Sequence, residues 1–117
     1  MNAYVSLSDV EPVERSAEHG GCGPITFRRL LDASAFEAPV DFVDFTIVPP
    51  GSSIGRHTHH GNEELYFVVT GSPLMRVSRE ERRLSRGTVS VVQNDGWHEL
   101  INDTNERVEI LVVQVRL

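Results

Sequence analysis

Gly51-Ser52-Ser53-Ile54-Gly55-Arg56-His57-Thr58-His59-His60-Gly61-Asn62-Glu63-Glu64 runs on through Leu65-Tyr66-Phe67-Val68-Val69-Thr70 and closes at Gly71. Side chains two apart on a strand share a face, so His57 and His59 point the same way while Thr58 points away. A turn at His60-Gly61-Asn62 reverses the chain and lets Glu64, on the next strand, lie beside the pair. His98 comes from a second segment, Gly87 to Asn102, which a closed sheet can bring opposite. Imidazole plus carboxylate is a ligand set for a borderline transition metal. Three nitrogens and one carboxylate oxygen cover one hemisphere of the ion and leave positions for water and substrate, a catalytic rather than a closed structural pattern. A bare His-x-His is more often a hydrogen-bonded surface pair. A carboxylate and a remote histidine at fitting positions turn it into a candidate site.

Around this stretch the chain is a series of short apolar runs separated by turn residues. Ile25 to Leu31, Asp41 to Val48, Leu65 to Thr70, Leu74 to Ser78, Thr88 to Val92, His98 to Ile101 and Val108 to Val115 are predicted strands. Pro49-Pro50-Gly51, Gly71-Ser72-Pro73, Asn94-Asp95-Gly96 and Asn102-Asp103-Thr104-Asn105 are turn signals. Arg79 to Arg83 reads as a solvated hairpin tip. Asp32 to Ala38 can form one helical turn, and no stretch supports a longer amphipathic helix. Strands this short, with turns between them, predict an all-β antiparallel sandwich or barrel over residues 25–117. Residues 1–24, broken by Pro12, Gly20, Gly21, Gly23 and Pro24, read as an N-terminal arm with at best a short strand near Tyr4 to Leu7.

With 117 residues the chain is expected to form one domain. Eleven basic against 17 acidic side chains give a net charge of −6, which argues against nucleic acid as a partner. Every cation is arginine, so Schiff-base and pyridoxal phosphate chemistry through a lysine is excluded. Cys22 is the only cysteine, so no internal disulfide or Cys-x-x-Cys pair exists. A reducing cytoplasm fits that usage. The start Met1-Asn2-Ala3-Tyr4-Val5 has neither a basic start nor a long apolar run, and neither a signal peptide nor a membrane span is expected.

The two histidine segments resemble the paired motifs of small single-domain cupins. The family's first motif is Gly, five residues, His-x-His, three or four residues, Glu, six residues, Gly; Gly51, His57, His59, Glu64 and Gly71 match it without a gap. The second is Gly, five residues, Pro-x-Gly, two residues, His, three residues, Asn; Gly87, His98 and Asn102 match. Gln93 stands in the proline's place and Asp95 in the glycine's, with Gly96 one position later, departures that bear on the turn and not on the ligands. The resemblance implies a jelly-roll β-barrel that holds one divalent transition metal (Fe, Mn, Ni, Cu or Zn) on His57, His59, Glu64 and His98. It also points to a homodimer. It does not select a reaction, since cupins include oxygenases, decarboxylases, isomerases, cyclases, lyases and sugar binders. Open adjacent positions on the metal suit both dioxygen and a chelating substrate, so oxygenase-type chemistry on a small oxygen-rich metabolite is the leading expectation. A Lewis-acid isomerase, cyclase or lyase and a non-catalytic binding protein are the alternatives.

Other residues carry narrower expectations. Parity from Glu64 puts Tyr66, Val68 and Thr70 on the ligand face, where Tyr66 can donate a hydrogen bond to substrate or simply line the barrel. His60 is a candidate acid or base beside the ligand pair, or a solvated loop histidine. Arg56 can reach an anion at the mouth or serve as a surface charge. Trp97, Glu63 and Glu99 should face away from the metal, and Asn102 should tie down its turn. His19, among Gly20, Gly21 and Gly23, marks a close backbone approach or an arm folded across a neighbour; neither it nor Cys22 is read as a ligand. The runs Leu65 to Val69 and Val108 to Val115 are apolar on both faces, so a homodimer is expected to cover one of them, with exchange of N-terminal strands as one route.

Overall fold

The computed structural model describes residues 3–117; the first two residues of the arm, Met1 and Asn2, lie outside the described residues. The described chain folds into two antiparallel sheets. In chain order the strands are β1 (Val13–Ser16), β2 (Pro24–Asp32), β3 (Val40–Val48), β4 (Ser53–Thr58), β5 (Asn62–Thr70), β6 (Leu74–Val77), β7 (Glu80–Arg83), β8 (Val89–Val92), β9 (Trp97–Ile101) and β10 (Val108–Arg116). One sheet has the order β1-β2-β3-β10-β5-β8 and the other β4-β9-β6-β7, a jelly-roll sandwich.

Period-two alternation decides what each strand buries. On β5, Glu64, Tyr66 and Val68 turn inward, while Leu65, Phe67 and Val69 face out. On β10, Val108, Ile110 and Val112 turn inward. Val48, Val68, Val92, Leu100, Val108 and Ile110 are wholly buried between the sheets, each worth roughly 1.5–3 kcal/mol of transfer free energy. The β4–β9 register sets His57 directly opposite His98. Asn102, wholly buried, donates to the carbonyls of Val48 and Glu106 and accepts from Thr104, so it ties the turn between β9 and β10 to the end of β3.

The strands expected between Ile25 and Val115 form, and the helical turn expected in Asp32 to Ala38 is a 3-10 turn at Ala33–Ala35. Two expectations need correction. Tyr4 to Leu7 is not a strand: Leu7–Asp9 is a 3-10 turn, with Ser6 and Asp9 bonding each other's ends, and the strand of this region is β1, paired to β2. Arg79 to Arg83 is not a hairpin tip but mostly β7, a fully exposed edge strand paired to β6. Its charges misled because neither face of this edge strand is covered, and charge there is a defence against further pairing.

Candidate metal centre

The end of β4, the turn after it, β5 and β9 bring four donors to one point. His57 Nδ1 lies 2.7 Å from the Gly55 carbonyl oxygen, and His59 Nδ1 lies 2.6 Å from Asn62 Oδ1. Both partners are acceptors, so each Nδ1 carries the proton and each Nε2 presents a bare lone pair. His98 Nε2 is 3.0 Å from His57 Nε2 and 3.1 Å from His59 Nε2. Glu64 Oε1 is 3.1 Å from His98 Nε2, 3.3 Å from His59 Nε2 and 4.0 Å from His57 Nε2. Bonds of about 2.1 Å to a central ion put neighbouring ligands of an octahedron about 3.0 Å apart and opposite ones about 4.2 Å apart. The measured separations follow that pattern. Lone pairs aimed at one another at such range repel unless a cation lies between them, so the four residues form a group that can hold a metal ion.

Electrostatics support the same assignment. Burial works to raise the Glu64 pKa, but the three surrounding imidazoles outweigh it and hold the carboxyl far below its usual range. The Glu64 carboxylate raises His59 above the usual histidine value, against burial. Burial lowers His98, which is 1% exposed. Tyr66 is buried with its ring 4.6 Å from that of His98. Burial first, and the Glu64 charge second, push its phenol well above 10, so it stays protonated and able to donate.

His57, His59, Glu64 and Tyr66 line a cavity of about 270 Å³. β2 and β3 supply Phe27, Arg29, Phe42, Asp44 and Thr46 to its wall, and the N-terminal arm supplies Arg15, Glu18 and His19. Arg29 gives two hydrogen bonds to the buried Asp44 carboxylate, at 3.0 and 3.1 Å, so its charge is matched within the wall. Arg15 lies over the Phe27 ring and meets Glu18 only at 3.6 Å, which leaves its donors available.

The other residues singled out from sequence lie elsewhere. His60 is exposed outside the cavity, its Nδ1 2.6 Å from Asp95 Oδ1. Arg56 is also outside, its guanidinium 3.8 Å over the Trp97 ring. Glu63 accepts from the Asn94 amide, and Glu99 accepts from Arg76. Cys22 is an exposed free thiol whose backbone is bonded to Ser53 on β4. Asp95, in the position where the motif has glycine, adopts φ +70, the left-handed conformation a glycine would supply.

Sequence reading did not place His19 in the cavity. Its ring stacks on that of His57 with centroids 3.7 Å apart and planes 10° from parallel. Burial, then His57, lowers its pKa. The close backbone approach expected of its glycine-rich surroundings is present. A methyl on Gly21 would lie 2.8 Å from the Gly55 amide nitrogen, and one on Gly55 would lie 2.6 Å from that of Gly21. The pairing of a glycine-rich arm with the glycine two residues before His57 was the available signal.

Comparison with known proteins agrees with this architecture. The profile of the cupin domain matches residues 44–114. The chain is 27% identical to an oxalate-binding protein of Thermotoga maritima over 97% of this chain and 93% of that one. It is 30% identical to the tetracenomycin polyketide synthase protein TcmJ of Streptomyces glaucescens over 88% of this chain, but spans only 64% of that relative. The crystal structure of a predicted oxalate decarboxylase from Thermotoga maritima superimposes with a TM-score of 0.94, at 27% identity, covering 97% of this chain and 99% of that one.

Proposed function

This chain belongs to the cupin domain family, and on that footing we propose that it holds one divalent transition metal on His57, His59, Glu64 and His98 and uses it to bind a small, carboxylate-bearing, oxygen-rich metabolite. The observation that carries the proposal is the convergence of three Nε2 atoms and Glu64 Oε1 at ligand-to-ligand spacing beside an open cavity. Fe, Mn, Ni, Cu and Zn all accept this donor set. The name of the Thermotoga maritima oxalate-binding relative supports an anionic, chelating ligand. So does Arg15, whose guanidinium faces the cavity with its donors largely unspent.

For turnover we favour oxygenase-type chemistry, in which the metal would supply polarisation of the bound oxygens and activation of dioxygen. Tyr66, and not His60, is assigned as the polar catalytic residue. Its protonated phenol lines the cavity against Glu64, whereas His60 lies outside it. Phe27 and Phe42 supply apolar surface to the cavity wall. A cytoplasmic homodimer is part of the same proposal.

Replacing His59 by alanine is expected to abolish stoichiometric metal uptake while the wild type takes up one ion per chain. Elemental analysis showing full occupancy in His59→Ala would overturn the ligand assignment. The Fe(II)-loaded wild type is expected to consume oxygen in the presence of a substrate with vicinal oxygens. Undiminished anaerobic turnover would point instead to a Lewis-acid isomerase, cyclase or lyase, and tight binding without turnover to a small-molecule-binding cupin.

A further inference from the structure

We propose that His19 is the residue through which the N-terminal arm touches the metal-held ligand and helps select it; the proposal rests on the metal and carboxylate assignment above. His19 is not one of the four donors, yet it lines the same cavity and lies face to face with the His57 ring.

The backbone that places it there is strained. Ala17 has φ 53 and ψ 45, and His19 has φ 51 and ψ 33, both left-handed. Glycine adopts that region readily, and asparagine, aspartate and histidine do so more often than other side chains. Glycines stand at positions 20 and 21, one and two residues away, but not at 17 or 19. Left-handed backbone at two non-glycine positions of one turn, one of them alanine, is held there by its surroundings.

Those surroundings are well defined. Ala17 N donates to Gly23 O, Gly20 N to Ala17 O and Gly21 N to Glu18 O. The Cys22 amide donates to Ser53 Oγ and the Ser53 amide to Cys22 O, which pins the arm along β4. Gly21 and Gly55 pass so closely that neither position admits a side chain without displacement. The arm therefore has one seat on β4, and that seat delivers the His19 ring onto His57.

The ring nitrogens complete the case. His57, His59, His60 and His98 each have a polar partner for a ring nitrogen. Among the described residues, His19 has none. Its stack leaves an edge with a donor and an acceptor beside the cavity, next to a residue assigned to the metal. A carboxylate held there meets that edge.

The test compares wild type, His19→Phe and His19→Gln, each loaded with Mn(II), with oxalate as the probe in titration calorimetry. His19→Phe keeps a flat ring for the stack and removes both nitrogens. It is expected to retain wild-type metal stoichiometry and to bind oxalate about tenfold or more weakly, the usual effect of losing a hydrogen bond to a charged group. His19→Gln, which restores a donor and an acceptor without the ring, should recover part of that loss. If His19→Phe does not fold, His19→Gly, suited to the left-handed backbone, takes its place with the same expectation. Wild-type oxalate affinity in the variant lacking both nitrogens would overturn the proposal and leave His19 a cover for His57. Lost metal in that variant would overturn it by placing the effect on the ligands. A wild type that takes up no Mn(II) would refute the metal assignment itself. One that takes up Mn(II) but does not bind oxalate would refute the carboxylate assignment and this inference together.

Discussion

Protons and metal compete for the same Nε2 lone pairs on His57, His59 and His98. His59 is decisive because the Glu64 carboxylate holds its pKa above 6.5. A raised pKa means that protons claim its Nε2 as pH falls to the acid side of neutrality, and the free form that can bind metal is depleted there. Metal affinity is therefore expected to fall between pH 7.5 and 5.5, with the loss on the acid side; calorimetric titration with Mn(II) at the two pH values checks the sign. Asp95 carries the other expectation of this kind. At φ +70 it does a glycine's task with a side chain that tolerates the conformation, and its carboxylate holds the exposed His60. Asp95→Gly is expected to melt at or above the wild-type temperature, whereas Asp95→Val should cost about 1–2 kcal/mol because a branched side chain resists the left-handed region. Gln93 and Asp95 thus keep the turn before His98 without the motif's proline and glycine: the Gly96 amide donates to the Gln93 carbonyl, and the Asp95 amide to that of His59.

β4 shows how much a short strand can carry. Its residues pair with β9, and its Gly55 serves twice, by accepting the His57 Nδ1 proton at its carbonyl and by admitting Gly21 of the arm against its Cα. A methyl at position 55 meets the backbone of His19, Gly20 and Gly21 rather than a yielding side chain. Gly55→Ala is therefore expected to cost about 1–3 kcal/mol in urea unfolding, the range for overpacking, and to speed proteolysis within residues 13–23. Most strands were legible from apolar runs and turn residues, because period-two burial writes itself into composition. β1 and β7 were not. Val13-Glu14-Arg15-Ser16 and Glu80-Glu81-Arg82-Arg83 are exposed edge strands, held by backbone pairing and ion pairs such as Arg76 with Glu81. Apart from Val13, nothing apolar in their sequences announces them.

The outer face of the six-stranded sheet is apolar well beyond what a solvated sheet requires. Val89, Phe67 and Leu111 form one row across β8, β5 and β10, and Val91, Leu65 and Val113 form the next. Val89 and Val91 are about half exposed, at 51% and 50%. The expected second copy of this chain would bury that face. Sedimentation velocity should then find the 13.1 kDa chain at twice its mass, and Phe67→Asp combined with Val91→Arg should yield a monomer that still takes up metal, since both side chains point away from the cavity. A monomeric wild type would remove the homodimer from the proposal. Among the described residues no helix is long and apolar enough to cross a membrane.

Order along the chain was enough to specify the all-β class, most strands and the four residues that converge in the candidate metal centre. Side-chain parity on a strand and the reach of a turn are local properties, and residues 51–71 spell them out. The register of β4 against β9, which sets His57 opposite His98 across some forty residues of chain, is a long-range pairing that no local pattern encodes. The same holds for the arm. His19 reaches the cavity because two glycines far apart in the chain let their backbones meet, and His60, exposed outside it, meets Asp95 from the turn before β9. Contacts of that kind come from pairing and packing between segments far apart in the chain, where shape and hydrogen bonding select a single arrangement from the many that composition allows.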